Sequence, residues 1–372
     1  MNMNKKPLRL SDRSICLAGL LILLIAGIAA LCSGNGDFSG WERRYLAEKP
    51  GVPSLTDWKT DRETETYLTD HIPFRRELVA TDSTVQLLTG RRTQLNAWPV
   101  SGSIIEKPVG IRADVLTRRL EQFGTLAENA GADWVLLTPP THGWLLKNRM
   151  APLMRRAYEQ EAVAYGMLET CENAILLPDT FTADPDRMYY RTDHHWSAEG
   201  AWEAYAALGD RLGYIPLPLS DFRLSEYDGF YGTTLSRSGL PAFIRDRILT
   251  AEPPSGISMT DGENRYDRLI FPENMETYDG YATYMNGNHG LVRIDNPGAA
   301  KGTLLVFKDS FANCLLPMLS AHYRTVIAVD ARYYGAGFSE AVKTADQPET
   351  ILYLYSLDSL MNDTELTKKL RR

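Results

Sequence analysis

Thr303-Leu304-Leu305-Val306-Phe307-Lys308-Asp309-Ser310-Phe311-Ala312-Asn313 runs from an unbroken apolar stretch into a serine that opens a helical pattern. A short apolar run bounded by polar residues reads as a strand buried on both faces. Strand, sharp turn, serine and helix in that order present a nucleophilic hydroxyl at the edge of a sheet. Four further runs share this character: residues 134–138, stopped by Pro139-Pro140; 174–177, stopped by Pro178; 325–329; and 351–355. Helical stretches fall between them, at about 113–130, 154–172 and 197–212. The last carries apolar residues at Ala201, Ala204, Tyr205, Leu208 and Leu212, with Ser197 placed to cap its start. Strands alternating with helices predict an α/β fold: a mostly parallel sheet of about five strands in a three-layer α/β/α arrangement. Chemistry in such sheets gathers at the carboxyl ends of the strands.

A second run, Thr192-Asp193-His194-His195-Trp196, lies far upstream of the serine. In extended chain, residues two apart face the same way, so Asp193 and His195 lie side by side while His194 points elsewhere. A carboxylate on one ring nitrogen fixes the tautomer and frees the other nitrogen to take the serine proton. Ser310 is then the candidate nucleophile, His195 its base and Asp193 the orienting carboxylate. The backbone N–H of Ser310 and the side-chain amide of Asn313 are candidate oxyanion donors. Arg332, in Asp330-Ala331-Arg332-Tyr333-Tyr334 after another strand, is a candidate ligand-binding cation, and an ion pair with Asp330 explains it equally well. His142 follows the strand end at Pro139-Pro140 and is a candidate at the border of a pocket. Trp196 reads as a packing wall. A metal site on Asp193, His194 and His195 is chemically sound but disfavoured, because consecutive residues rarely converge on one ion. No metal and no cofactor are expected.

The chain has 372 residues, 44% apolar and 23% charged, which excludes wholesale disorder. Its net charge of −7 comes with no basic stripe, which excludes nucleic acid as the main partner. Lys5, Lys6, Arg9 and Arg13 precede an uncharged run from 15 to 31. Positive charge before such a run predicts a membrane anchor with the N-terminus in the cytoplasm and the remainder outside. An uncleaved anchor is favoured over a removed signal. Residues 37–92 read as a lead-in segment, helical and amphipathic as far as Pro73. Residues 93–372 then form the α/β domain. Between 221 and 300 no clean helical period survives, and turn formers recur at Asp228-Gly229, Pro253-Pro254, Asp261-Gly262 and Asn286-Gly287. This is an insertion of loops and short strands, placed to cover the site. Of the four cysteines only Cys171 and Cys314 belong to the globular part; one disulfide between them is compatible with a place outside the cytoplasm, with two buried free thiols the better reading.

The runs 189–196, 307–313 and 329–334 together resemble the DHHW family of membrane-anchored bacterial proteins. That family is similar to the SGNH-hydrolase-like domains of alginate O-acetyltransferases. The resemblance implies an SGNH-like three-layer fold, with Ser310, His195 and Asp193 as the triad. It implies O-acetyl transfer to, or removal from, an extracellular polysaccharide. A membrane-bound acyl-carrying protein would be the donor partner. Ser310 follows Lys308-Asp309 where the wider superfamily has Gly-Asp. That departure keeps open a second reading, a glycan-binding or assembly protein that retains the fold without catalysis.

Overall fold

The computed structural model describes residues 12–32, 36–50, 58–91, 97–177, 179–241, 244–253, 256–262 and 264–371. Lys5, Lys6, Arg9, Pro178 and Pro254, named above, lie outside them. The chain divides into two compact units, Met1–Arg91 and Arg92–Arg372.

In the first unit, the helix Asp12–Cys32 is long and apolar enough to cross a membrane. Its leucines and isoleucines are exposed, as a helix solvated by lipid would have them. A two-strand ribbon, β1 (Phe38–Ser39) and β2 (Arg44–Tyr45), follows. The lead-in is two helices, Trp58–His71 and Arg75–Leu88, parted by Pro73 and by Phe74 at φ 59°. Asp70 anchors this unit by accepting from both terminal nitrogens of Arg44, at 2.8 and 2.5 Å. That guanidinium holds the Asp70 carboxyl below its usual range.

The second unit begins with a hairpin, β3 (Ala97–Val100) and β4 (Ser103–Glu106). The strands β5 (Asp133–Leu137) and β6 (Ala174–Ile175) follow, then a second hairpin of β7 (Arg223–Phe230) and β8 (Asp246–Glu252). The remaining strands are β9 (Ser258–Asp261), β10 (Asn264–Tyr266), β11 (Leu291–Asp295), β12 (Lys301–Lys308), β13 (Tyr323–Asp330) and β14 (Thr350–Leu354). One sheet of eight strands has the order β10-β9-β11-β13-β12-β14-β5-β6. The five strands from β13 to β6 are parallel throughout. These are the five expected from the apolar runs. The other three are antiparallel and come from the 221–300 segment, which extends the sheet beyond β13.

Side chains along each parallel strand alternate between two cores, as the pleat requires. Leu304, Val306, Val326, Ala328, Leu352 and Leu354 enter the core on one face, packed with Ala201, Ala204 and Leu208 of the helix Ala198–Leu212. Leu305, Phe307, Ile327, Val329, Ile351 and Tyr353 enter the other, packed with Leu116 and Phe123 of the helix Ala113–Ala130. This is the expected three-layer α/β/α build. Ser197 accepts a hydrogen bond from Gly200 N–H at 3.1 Å and caps the first of these helices.

The helix expected over 154–172 is broken into Pro152–Glu159 and Ala162–Glu169. Glu161, at the break, is buried and accepts from Val109 N–H at 2.9 Å and Thr141 Oγ1–H at 2.6 Å. Tying down two loops outweighs an unbroken helix there. β6 is shorter than the apolar run around it because it is an edge strand, paired on one side only. Cys171 and Cys314 are free thiols.

Candidate active site

β12 is flanked by β13 on one side and β14 on the other, and the connection from β13 crosses back over it to β14. Such a switch point opens a crevice in parallel sheets. Ser310 stands there, first in the 3-10 turn Ser310–Cys314. Asp309 caps the turn: its Oδ1 accepts from Phe311 N–H at 3.0 Å. Its Oδ2 accepts from Ser356 N–H at 2.8 Å and Ser359 Oγ–H at 2.7 Å, which locks the serine turn to the loop after β14.

Residues 189–196 form a tight loop closed by a bridge between Tyr189 and Trp196. The loop carries the side chains of Asp193 and His195 inward. Asp193 is fully buried, and its Oδ1 lies 2.5 Å from His195 Nδ1 while accepting from His195 N–H at 3.0 Å. The other carboxylate oxygen accepts from Thr233 N–H at 2.6 Å. His195 Nε2 is 2.8 Å from Ser310 Oγ. Asp193, His195 and Ser310 therefore form one connected line, although 115 residues separate imidazole and serine in the chain. The Tyr281 ring stacks flat on His195, centroids 3.8 Å apart at 4°. Burial holds the imidazole pKa down to about 4, against the opposing pull of Asp193, so the ring is neutral near pH 7.

Several residues that sequence reasoning missed, or undervalued, assemble this line. Trp196 is more than a wall: its Nε1–H points at Phe311 O and Cys314 Sγ, both at 2.9 Å, and so ties the histidine loop to the serine turn. Asp246, from β8, accepts from Thr192 N–H at 2.7 Å and from the Thr192 hydroxyl at 2.5 Å. Gly232 lies so close to the loop that a Cβ there would meet Thr192 O at 2.2 Å and Asp193 Cβ at 2.6 Å.

The remaining candidates lie as follows. Asn313 is buried; its Oδ1 accepts from Lys308 Nζ at 2.6 Å, and its Nδ2 donates to Asn288 Oδ1 at 3.1 Å. Arg332 is bidentate on Asp330, at 2.9 and 2.6 Å, and Lys308 Nζ lies 3.8 Å from the same carboxylate. Burial pushes the Lys308 ammonium down to about 8. His142 opens the short helix after β5, buried, with its ring stacked on Tyr189. Neither of its nitrogens has a hydrogen-bond partner among the described residues. The ligand-type atoms of Asp193, His194 and His195 lie within 4.8 Å of one another. Both nitrogens of His195 are already engaged, so a cation there would have to part the base from the carboxylate or the serine.

The DHHW protein family matches residues 180–329, a span that contains the whole Asp193–His195–Ser310 line. Among solved structures, a DHHW family protein from Eubacterium siraeum is similar at 16% identity, covering 74% of this chain and 94% of that one, with a TM-score of 0.62. PatB1 of Bacillus cereus, in a structure with a sulfonyl adduct, is similar at 17% identity, covering 73% and 96%, with a TM-score of 0.59. At these identities the likeness is one of fold. No curated protein matches the chain in sequence.

Proposed function

Starting from the match to the DHHW family, we propose that this chain is a serine-dependent O-acyl transferase or esterase. Its substrate would be a cell-surface polysaccharide outside the cytoplasm, and acetyl its cargo. The observation that carries the reading is the hydrogen-bonded line from Asp193 through His195 to Ser310. Three such groups in sequence are what a hydroxyl needs to attack an acyl carbon near neutral pH.

As Ser310 Oγ bonds to the acyl carbon, its proton passes to His195 Nε2, and the carbonyl electron pair moves onto oxygen. Asp193 stabilises the imidazolium and keeps its ring in register. When the carbonyl re-forms, the donor's oxygen leaves with the proton from His195. A sugar hydroxyl or a water then attacks the acyl-serine by the same steps in reverse, with His195 taking the acceptor's proton. Transfer and hydrolysis differ only in which acceptor reaches the ester. The apolar helix Asp12–Cys32 would hold the domain at the membrane, close to a membrane-bound acyl donor. Arg332 and the exposed ring of Tyr333 beside it offer a cation and an aromatic face to a glycan.

The test is turnover of p-nitrophenyl acetate by the full chain in detergent. Ser310→Ala is expected to lose at least about 10³-fold in kcat, on the scale of triad deletions elsewhere. A phenylmethanesulfonyl probe is expected to label the native serine and not the variant. Equal turnover by Ser310→Ala and the native chain would overturn the assignment. Asp309, which locks the turn that holds Ser310, stands where the superfamily's Gly-Asp would place it. That favours catalysis over the reading as a glycan-binding protein.

A further inference from the structure

Beside the loop 189–196 lies a second concavity, a cleft of about 180 Å³. Three parts of the second unit wall it: the helix Pro185–Met188 with the first residues of the loop, the start of the helix Ala198–Leu212, and the hairpin of β7 and β8. Asp193, His195 and Ser310 take no part in its lining. It is smaller than the sites of about 300–1,000 Å³ that enclose a drug-sized ligand. Its lining is rich in charge, with Arg187, Arg191 and Arg247 set among Glu199, Glu226 and Asp246.

Most of these charges are spent on one another, and what is left over defines the ligand. Asp246 is buried and saturated: it accepts from Arg191 N–H at 3.2 Å and Nε–H at 3.3 Å, besides its two bonds from Thr192. Arg191 Nη2 donates to Arg245 O at 2.9 Å, which leaves Nη1. Arg247 Nη1 donates to Glu226 at 2.8 Å, which leaves Nη2 and Nε. Arg187 lies 3.5 Å from Asp184 and 3.6 Å from Glu203. Among the described residues no hydrogen bond or ion pair reaches the Glu199 carboxylate, half-buried in the first turn of its helix. The cleft therefore sets unspent guanidinium donors and an unspent carboxylate acceptor around one space.

A guanidinium can only donate and an ionised carboxylate only accept, whereas a hydroxyl does both. Neighbouring hydroxyls on one ring can answer both groups at once. A phosphate or carboxylate ligand would meet Glu199 and Glu226, and an ammonium would meet three guanidinium groups. We propose that this cleft binds one neutral sugar unit of a polysaccharide. Arg191 Nη1 and Arg247 Nη2 donate to its hydroxyl oxygens, and Glu199 accepts from a hydroxyl. The site is separate from the line to Ser310, and the proposal stands whether or not that serine is a nucleophile. Asp246 nonetheless joins the two, because the carboxylate that lines the cleft also ties down Thr192, next to Asp193. A glycan chain gripped there is held beside the loop that carries Asp193 and His195.

The experiment titrates the full chain, in a detergent free of sugar, with cellotetraose, chitotetraose, mannotetraose and tetragalacturonate, and reads binding by calorimetry. At least one of the three neutral probes is expected to bind, and to bind the native chain more tightly than tetragalacturonate does. Arg247→Ala and Glu199→Gln are each expected to weaken that binding about tenfold, the scale of one hydrogen bond to a charged group. Glu199→Gln is also expected to narrow the gap to tetragalacturonate, because it takes a like charge out of the cleft. No binding by any neutral probe would overturn the proposal. So would tighter binding of tetragalacturonate by the native chain, or neutral binding left at native strength by either variant. Ester turnover enters none of these outcomes, so the reading at Ser310 stands or falls separately.

Discussion

His195 sits between a carboxylate, a hydroxyl and a flat tyrosine, buried beside His194. Burial outweighs Asp193 and sets the imidazole pKa at about 4. On the proposed acyl-transfer reading the neutral ring is the base, so activity is expected above that pKa and is expected to be lost as pH falls through it. The kcat/KM profile is expected to stay level down to about pH 5, with its acid limb near 4, well below the ordinary histidine value of about 6.5. Tyr281→Ala removes the ring lying on His195 and lets water in, so the acid limb is expected to move upward by at least half a unit. An unchanged limb would show that Tyr281 does not control the solvation of the base. Asp193, His195 and Ser310, which the structure brings together, were legible as candidates because each has a narrow chemical job and a telling spacing. The places of Tyr281 and Trp196 were not, because an aromatic ring takes its role from what it faces, and that is settled only by folding.

The 221–300 segment was read as loops and short strands, and which of those strands would join the main sheet was not legible without a period. Its turn formers are real: Gly229, Gly262 and Gly287 all have positive φ. Between them lie strands that complete the sheet and helices that brace the site. Their short runs offered too little alternation to stand out. By contrast, the helix 113–130 was legible to the residue, because an amphipathic stripe eighteen residues long leaves one solution. The short helix Thr233–Ser238 presents its first N–H to Asp193, and Gly232 sets how near it comes. Gly232→Ala puts a methyl against backbone that cannot yield, so the helix must back away from the carboxylate. The expected result is a kcat lower by at least about tenfold, together with a Tm lower by several degrees. A Gly232→Ala variant with native kcat would mean that Thr233 N–H does not orient Asp193.

Across the whole molecule, the parallel half of the sheet was readable from five apolar runs because strands buried on both faces need continuous apolar sequence. The antiparallel half was hidden for the converse reason. Leu291 and Asp295 at the ends of β11 are only partly buried, and Arg293 faces solvent, so the strand's pattern is diluted. Yet β11 forms a full antiparallel ladder with β13, from Leu291 opposite Val329 to Asp295 opposite Thr325. Elsewhere in the sheet β14 pairs with β5, from Thr350 opposite Asp133 to Leu354 opposite Leu137; that ladder stitches late sequence to early sequence, and it makes the molecule divisible. If the backbone is cut at the exposed Gly256, one fragment keeps Asp193 and His195 and the other keeps Ser310. Neither piece alone carries a working relay. Co-expressed, the two are expected to reassemble through Trp196 on the serine turn and the docking of both apolar layers. Ester cleavage would then report their reunion, a built-in complementation assay.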